Sequence, residues 1–190
     1  MLVTVVGAGA LGSHFVQFFR NEACTIKIID FDRVEQRNVA SQFHSKAGVG
    51  KKKTASLQQS LKFLYGREII SVSNKLTKDN VKELLSNADL IVDCLDNGAS
   101  RRLVQDFARS SQTPCLHGAL SANGDFGRVV WDELFVIDDE SVQGAPTCEG
   151  GDFLPFIGIA SSFLAKSAQA FLSTGKKGSF SISPSRVEKF

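Results

Sequence analysis

The chain has 190 residues, 43% of them hydrophobic and 22% charged, so it is long enough to bury a core, and we expect a single domain over 1–190. Its formal net charge of +2 is too small to indicate nucleic-acid binding. No apolar segment is long enough to span a bilayer, and the sequence opens on a strand-like run where a secretory leader has a basic segment. These features predict a cytoplasmic protein without nucleic-acid or membrane partners.

The first part of the chain predicts a βαβ unit. An apolar strand over 3–6 runs into a glycine-rich turn, a helix follows over 12–20, and a second strand over 25–29 ends at Asp30. This order of elements is typical of nucleotide-binding proteins.

The glycines of the turn have separate predicted roles. Gly7 permits the tight turn, Gly9 lets the backbone approach a phosphate, and Gly12 lets the helix lie close to the strand. Asp30 follows at about the 20-residue distance at which a carboxylate binds a ribose hydroxyl. A nucleotide site is the interpretation favoured here, and the alternative is a tight turn in an ordinary α/β core.

The rest of the chain alternates helix-like and strand-like patterns. These predict strands over 68–72, 90–95 and 113–117, and helices over 54–65, 77–85 (with Thr77 as N-cap) and 100–109. Further on, 118–137 predicts short antiparallel strands, 138–152 a polar loop, and 156–172 a long apolar helix. The tail over 175–190 has one strand-like stretch, 179–182, and is otherwise expected to be loose. The predicted fold is a Rossmann-like, doubly wound, mostly parallel sheet with an antiparallel extension and a long C-terminal apolar helix.

Polar residues follow the predicted strands at the edge where open α/β sheets bind ligands. The polar segment 33–42 follows the second strand, and Asp96 and Asn97 follow the strand over 90–95. Three lysines, 51–53, stand at a helix start, where they oppose the helix dipole unless an anion is present. Either the lysines form a solvated basic turn or at least one of them contacts a phosphate.

The remaining chemistry-bearing side chains give weaker signals. His14, His44 and His117 have no second ligand at metal-binding spacing, so we expect hydrogen-bonded structural residues. Three cysteines, Cys24, Cys94 and Cys115, lie in or beside apolar strand-like runs and are expected to be reduced core residues.

Taken together, these segments resemble the adenylation domain of the ThiF/MoeB/ubiquitin-activating superfamily. The resemblance rests on the glycine turn, on Asp30-Phe31-Asp32-Arg33-Val34-Glu35 with Asn38 and Gln42-Phe43, on Gly50-Lys51-Lys52-Lys53, on Asp93-Cys94-Leu95-Asp96-Asn97 with Arg101, and on Thr147-Cys148-Glu149-Gly150-Gly151. It covers nearly the whole chain.

This resemblance implies ATP-dependent activation of the C-terminal Gly-Gly tail of a ubiquitin-like or sulfur-carrier protein. The tail carboxylate attacks the α-phosphorus, pyrophosphate leaves, and an acyl-adenylate forms. Asp30 would hold the ribose, Asn38 and Lys53 would contact phosphates, and Asp96 would hold Mg²⁺. The residues implied to bind ATP are Gly7, Gly9, Ala10, Gly12, Asp30, Asp32, Arg37, Asn38, Ser41, Gln42, Lys53, Asp96 and Asn97. Those implied to act in catalysis are Asp96, Lys53 and, in a later transfer step, Cys148.

The sequence departs from the family pattern in three respects. Ser41 stands where relatives usually have an arginine, and no arm precedes the first strand to reach into a partner's site. Two CxxC pairs build the family's zinc site and neither occurs here, so we expect no zinc. Arg37, Lys51 or Lys52 would have to compensate for the missing arginine.

Three hypotheses follow from these features. The first is an adenylating enzyme, expected as a homodimer or paired with a related chain. The second is a degenerate nucleotide- or partner-binding subunit that needs another subunit for catalysis. The third, an NAD-dependent oxidoreductase, leaves Lys53 and the Asp96-Asn97 pair unexplained, because hydride transfer does not require them.

Overall fold

The structure is a computed structural model that describes residues 1–137 and 151–190. Within these residues, eight strands form one sheet: β1 (Leu2–Val6), β2 (Thr25–Ile29), β3 (Ile70–Val72), β4 (Leu90–Asp93), β5 (Cys115–Leu120), β6 (Gly127–Trp131), β7 (Phe180–Ser183) and β8 (Arg186–Lys189). The α-helices of the same ranges are α1 (Ala10–Phe19), α2 (Lys53–Tyr65), α3 (Val81–Leu85), α4 (Gly98–Ser111) and α5 (Leu154–Thr174).

The sheet order places β1 at a point where the chain changes direction. The strands run β3-β2-β1-β4-β5-β6-β7-β8, parallel from β3 to β5 and antiparallel from β5 to β8. From β1 the chain goes outward to β2 and β3, then returns to place β4 on the other side of β1. Ligands of open α/β sheets bind at such a switch point, outside the carboxyl ends of the strands. The predicted fold is confirmed.

The central strands are apolar on both faces because helices cover both sides of the sheet. On β1, Val3 and Val5 point into a core that also contains residues of α1, α2 and α5. Val6 belongs to the second core, with residues of α3 and α4. The continuous apolar run of β4 divides in the same way, with Val92 in the first core and Ile91 in the second. Fixing the central strands on both faces fixes the edge at which the cleft lies.

The long C-terminal helix packs along α1. Its buried face includes Ile157, Ala160, Leu164 and Ala168, which recur at helical spacing. The helix ends at Gly175, whose φ of +71° is the left-handed conformation that favours glycine. No helix in the part of the chain that the structure describes is long and apolar enough to cross a membrane.

Three details differ from the sequence-based expectations. The tail is not loose, since it forms two strands, and Ile182 of β7 is fully buried in the core. The strand predicted to reach residue 136 ends at Trp131, because Asp132–Leu134 turn into a 3-10 helix. The third helix begins only at Val81, since Asn80 turns its side chain back to accept a hydrogen bond from the Thr77 amide. Most of the predicted polar loop, 138–150, lies outside the described residues.

The cysteine prediction is confirmed for the three core positions. Cys24, Cys94 and Cys115 are free and buried, and burial raises the pKa of each thiol. Cys148 lies outside the described residues.

Candidate nucleotide-binding site

The glycine turn joins β1 to α1 at the switch point of the sheet. Gly7 has φ +98°, and a Cβ added there would lie 2.8 Å from the Cys94 carbonyl oxygen. A Cβ on Gly12 would lie 1.9 Å from the Gly7 carbonyl oxygen. Both contacts are shorter than van der Waals distances, so the backbone at each position requires glycine. Gly9 differs, because a Cβ there would meet no described atom within 4 Å and would project into open space.

The N-terminus of α1 is suited to an anion. Its N-cap is Gly9, which has no side chain to accept a hydrogen bond, and no acidic residue occupies the first turn. The first intrahelical bond runs from the Ser13 amide to the Gly9 carbonyl. The amides of 10–12 precede it and have no intrahelical acceptor. Such free N–H groups, with the positive end of the helix dipole, bind phosphates.

Asp30 lies at the end of β2 and is hydrogen-bonded to the glycine turn. Its Oδ2 accepts from the Ala8 amide at 2.7 Å and its Oδ1 accepts from the Asp32 amide at 2.7 Å. Burial raises the pKa of Asp30, and Lys53 and the two amides oppose this effect. A carboxylate has about four acceptor positions, so two remain for a ligand hydroxyl. Asp30 is therefore able to shape the turn and accept a hydrogen bond from a ribose.

The three lysines at the start of α2 point to different places. Lys53 is 8% exposed and lines the cleft, with its Nζ 3.2 Å from Asp32 Oδ2. Lys52 Nζ donates to the Phe31 carbonyl, and Lys51 Nζ donates to Gln59 Oε1 on the surface of α2 at 2.9 Å. Lys53 is thus the lysine that the fold directs into the cleft.

The loop from β4 to α4 supplies the opposite wall. Asp96 is exposed and lines the cleft, as does Asn97. Asn97 is the N-cap of α4, with its Oδ1 accepting from the Ser100 amide at 2.9 Å. This cap accounts for the start of α4 at Gly98, two residues before the predicted start. Asp96 keeps its carboxylate toward the cleft, as a magnesium ligand requires.

The cleft brings together the carboxyl ends of β1, β2 and β4 and the segment that follows β3. It is lined by Val6, Gly7, Gly9, Ile29, Asp30, Phe31, Asp32, Lys53, Asn74, Lys75, Leu76, Cys94, Leu95, Asp96, Asn97 and Ser100. Sequence reasoning missed Asn74, Lys75 and Leu76, although they follow a predicted strand at the same edge. Lys75 Nζ lies 5.5 Å above the ring centre of Phe31, another cleft residue that was not singled out.

The segment with Asn38 does not contribute to the lining of this cleft. Asn38 is buried in a 3-10 helix (Gln36–Ala40), and its Oδ1 accepts from the Glu35 amide at 2.9 Å. Arg37 is more than half exposed and pairs with Glu35 at 2.8 Å. Ser41 and Gln42 are buried. The phosphate contacts implied for this segment therefore remain predictions.

Two histidines fasten that segment to the glycine turn. His44 Nε2 lies 2.9 Å from the Ala8 carbonyl oxygen, and His14 Nε2 lies 3.2 Å from the Ser41 carbonyl oxygen. Burial lowers the pKa of both, that of His44 to about 4, so His44 is neutral near pH 7 and donates from Nε2. The Phe43 amide adds a bond to Ser13 Oγ at 2.9 Å. Both histidines are hydrogen-bonded, structural residues, as expected.

The fold and the cleft define a doubly wound α/β protein with a glycine-turn ligand site. Residues 1–182 match the ThiF family, and the chain belongs to that family. This confirms the resemblance seen in the sequence.

Known proteins similar to this chain carry related names. It is 31% identical over 174 residues to the adenylyltransferase and sulfurtransferase UBA4 of Meyerozyma guilliermondii, which covers 86% of this chain and 41% of that protein. It is 32% identical over 121 residues to the SAMP-activating enzyme E1 of Haloferax volcanii, covering 62% of this chain and 45% of that protein. The crystal structure of E. coli MccB with ATP superposes with a TM-score of 0.78 at 15% identity, over 100% of this chain and 62% of that one, which shows a shared fold. The chain spans less than half the length of these two curated relatives.

Proposed function

We propose that 1–190 form one adenylation domain that activates the C-terminal carboxylate of a ubiquitin-like or sulfur-carrier protein with ATP. The observation that carries the proposal is the cleft itself. Asp30, Lys53 and Asp96 come from three separate parts of the chain and line one cleft with the glycine turn before α1. Support also comes from the relatives, since UBA4 is named an adenylyltransferase and MccB was solved with ATP.

The residues of the cleft suit this chemistry by position and charge. The first amides of α1 face a phosphate, Asp30 accepts from a ribose hydroxyl, and Lys53 offsets negative charge on the phosphates. Asp96 would hold Mg²⁺, which neutralises the charge of the leaving pyrophosphate when bound. An oxygen of the tail carboxylate bonds to the α-phosphorus as the bond to pyrophosphate breaks. The adenylation step needs no protein nucleophile, so it does not depend on Cys148.

A second candidate function is a degenerate subunit of the same fold. It is favoured by the side-chain arrangement of 37–42, because Arg37 pairs with Glu35 and a short buried serine, Ser41, stands at the position of the expected arginine. Losing one donor aimed at the developing charge costs on the order of a hundredfold or more in rate. Such a chain would bind nucleotide or carrier and depend on another subunit for turnover.

Nucleotide preference separates both candidates from an oxidoreductase. We expect ATP with Mg²⁺ to bind more tightly than NAD, because Lys53 and Asp96 suit a triphosphate and its metal. Calorimetric titration measures both affinities. Tighter binding of NAD would contradict the assignment.

Exchange of pyrophosphate into ATP then tests adenylation. We expect exchange that depends on a carrier ending in Gly-Gly, and we expect none with the same carrier lacking its last two glycines. If the chain alone shows no exchange but gains it with a second activating-type subunit, or after Ser41→Arg, the degenerate-subunit proposal is the correct one.

We also propose that the protein is a homodimer or pairs with a related chain. Phe126, Leu134, Val136 and Leu154 are large apolar residues in the antiparallel half of the chain, and each is at least 38% exposed. Stable interfaces bury apolar residues of this kind. Light scattering at tens of micromolar should give twice the monomer mass or, for the paired form, a complex with the related chain. A strictly monomeric mass in both experiments would contradict this proposal.

A further inference from the structure

A buried, charged network lies next to the β4–α4 loop. Asp93, the last residue of β4, is fully buried. Its Oδ2 accepts from Arg101 Nη1 at 2.9 Å and from His117 Nδ1 at 2.8 Å, and its Oδ1 accepts from the Leu95 amide at 3.0 Å. Two cationic partners thus share one carboxylate oxygen beside the turn that leads to Asp96.

His117 bridges two carboxylates. Its Nε2 lies 3.2 Å from Asp132 Oδ1, on the side opposite its bond to Asp93. Ionised carboxylates only accept hydrogen bonds, so both ring nitrogens must carry a proton and the side chain is an imidazolium. Burial lowers the pKa of His117, but its bonds to Asp132 and Asp93 outweigh this effect and raise it to about 11. The ring also stacks on Phe135, with centres 4.1 Å apart, and Cys115 is a further neighbour.

Arg101 connects this network to the backbone of the loop. Its Nη2 donates to the Leu95 carbonyl and, at 2.8 Å, to the Gly118 carbonyl. The Leu95 peptide groups are therefore held on both sides, the amide by Asp93 and the carbonyl by Arg101. The next residue is Asp96, whose carboxylate lines the cleft. His117 holds Asp93 on the side away from the loop, so the orientation of Asp93 depends on it.

We propose that His117 is a positioning residue that, through Asp93 and Arg101, sets the direction of the Asp96 carboxylate in the cleft. The proposal rests on the proposed adenylation function and adds a residue to it. Residues that orient a metal ligand from behind change metal affinity by about 10- to 100-fold when replaced. Replacing His117 should therefore affect the metal-dependent step and leave most nucleotide contacts intact.

The test compares three variants with a matched control. His117→Leu removes both bonds, His117→Asn keeps one donor for Asp93, and Asp132→Asn removes the outer charge. Ser167→Ala is the control, because Ser167 is also buried and hydrogen-bonded, to Trp131 Nε1 at 3.1 Å and to the Gly178 carbonyl at 2.7 Å, away from the loop. If His117→Leu does not fold, His117→Asn and Asp132→Asn carry the test.

We expect His117→Leu to lower kcat of pyrophosphate exchange at least about tenfold. The Mg²⁺ concentration for half-maximal exchange should rise by a similar factor, while KM for ATP changes less than about twofold. His117→Asn should recover part of the loss, and Ser167→Ala should behave like wild type. A readout without turnover is Mn²⁺ binding to the ATP complex, measured by electron paramagnetic resonance. It should weaken in the same order.

Two results would overturn the proposal. The first is a folded His117→Leu or Asp132→Asn protein with the kcat, Mg²⁺ dependence and Mn²⁺ affinity of Ser167→Ala. The second is a loss in which KM for ATP rises as much as kcat falls, which indicates general loosening of the site. If wild-type protein shows no exchange but its Mn²⁺ affinity depends on His117, adenylation fails while the positioning role stands. Wild-type protein that binds no Mn²⁺ with ATP would overturn both.

Discussion

Asp96→Ala should abolish pyrophosphate exchange while leaving the protein folded. Asp96 is exposed at the end of β4, and its side chain contributes little to the core, so the free energy of unfolding should change by less than about 0.5 kcal/mol. In the proposed reaction, its carboxylate places the metal beside the phosphate bond that breaks. Removing a group aimed at charge in the transition state lowers the rate by on the order of a thousandfold. The measurement is exchange with a Gly-Gly carrier, alongside a urea denaturation curve.

The control for this variant lies at the opposite end of the same strand. Asp89 directly precedes β4, is also exposed, and accepts a hydrogen bond from the Leu2 amide at 2.6 Å. Asp89→Ala should cost about 1 kcal/mol of stability and leave exchange unchanged. Exchange that survives Asp96→Ala, or falls equally in Asp89→Ala, would contradict the assignment of Asp96.

Lys53→Ala should give a different pattern at the same site. Because negative charge on the phosphates grows toward the transition state, the loss should be larger in kcat than in ATP affinity. Cys148→Ala should leave exchange intact, because adenylation precedes any thiol step. Together, these variants separate the metal, phosphate and thiol roles implied for Asp96, Lys53 and Cys148.

The sequence predicted those parts of the cleft that follow from strand ends. Asp30 and Asp96 were placed correctly at one edge because each follows a buried parallel strand, and parallel strands end at the same side of a sheet. The position of Lys53 in the cleft was only one of two alternatives. The structure decides between them, because Lys53 is the first residue of α2 and its amide bonds to the Asp32 carbonyl at 2.9 Å.

The remaining features depend on contacts that no local pattern encodes. His117 lies 24 positions from Asp93, and their bond arises because β4 and β5 are neighbours in register. Asn38 was expected to face a phosphate, but a backbone amide three residues away already binds its side-chain oxygen. Short polar side chains compete in this way for nearby backbone groups, and sequence spacing does not reveal which partner prevails.

The glycine turn allows fold and binding to be tested separately within four residues. Gly12→Ala should destabilise the protein by about 3 kcal/mol, because its Cβ would meet the Gly7 carbonyl oxygen at 1.9 Å and the backbone has no side chain to move aside. Gly9→Ala should change stability by less than about 1 kcal/mol. Its φ of −76° is open to alanine, and the added methyl group meets no described atom within 4 Å.

The two variants should differ in the opposite sense for the nucleotide. In Gly9→Ala, the methyl group projects into the space beside the first amides of α1, where the phosphates are proposed to lie. ATP affinity should therefore fall at least about tenfold, equivalent to about 1.4 kcal/mol, although the fold is intact. Urea denaturation measures the first effect and calorimetric titration with ATP measures the second. Wild-type ATP affinity in a stable Gly9→Ala protein would show that the phosphates do not bind at the N-terminus of α1, and the proposed cleft would be wrong.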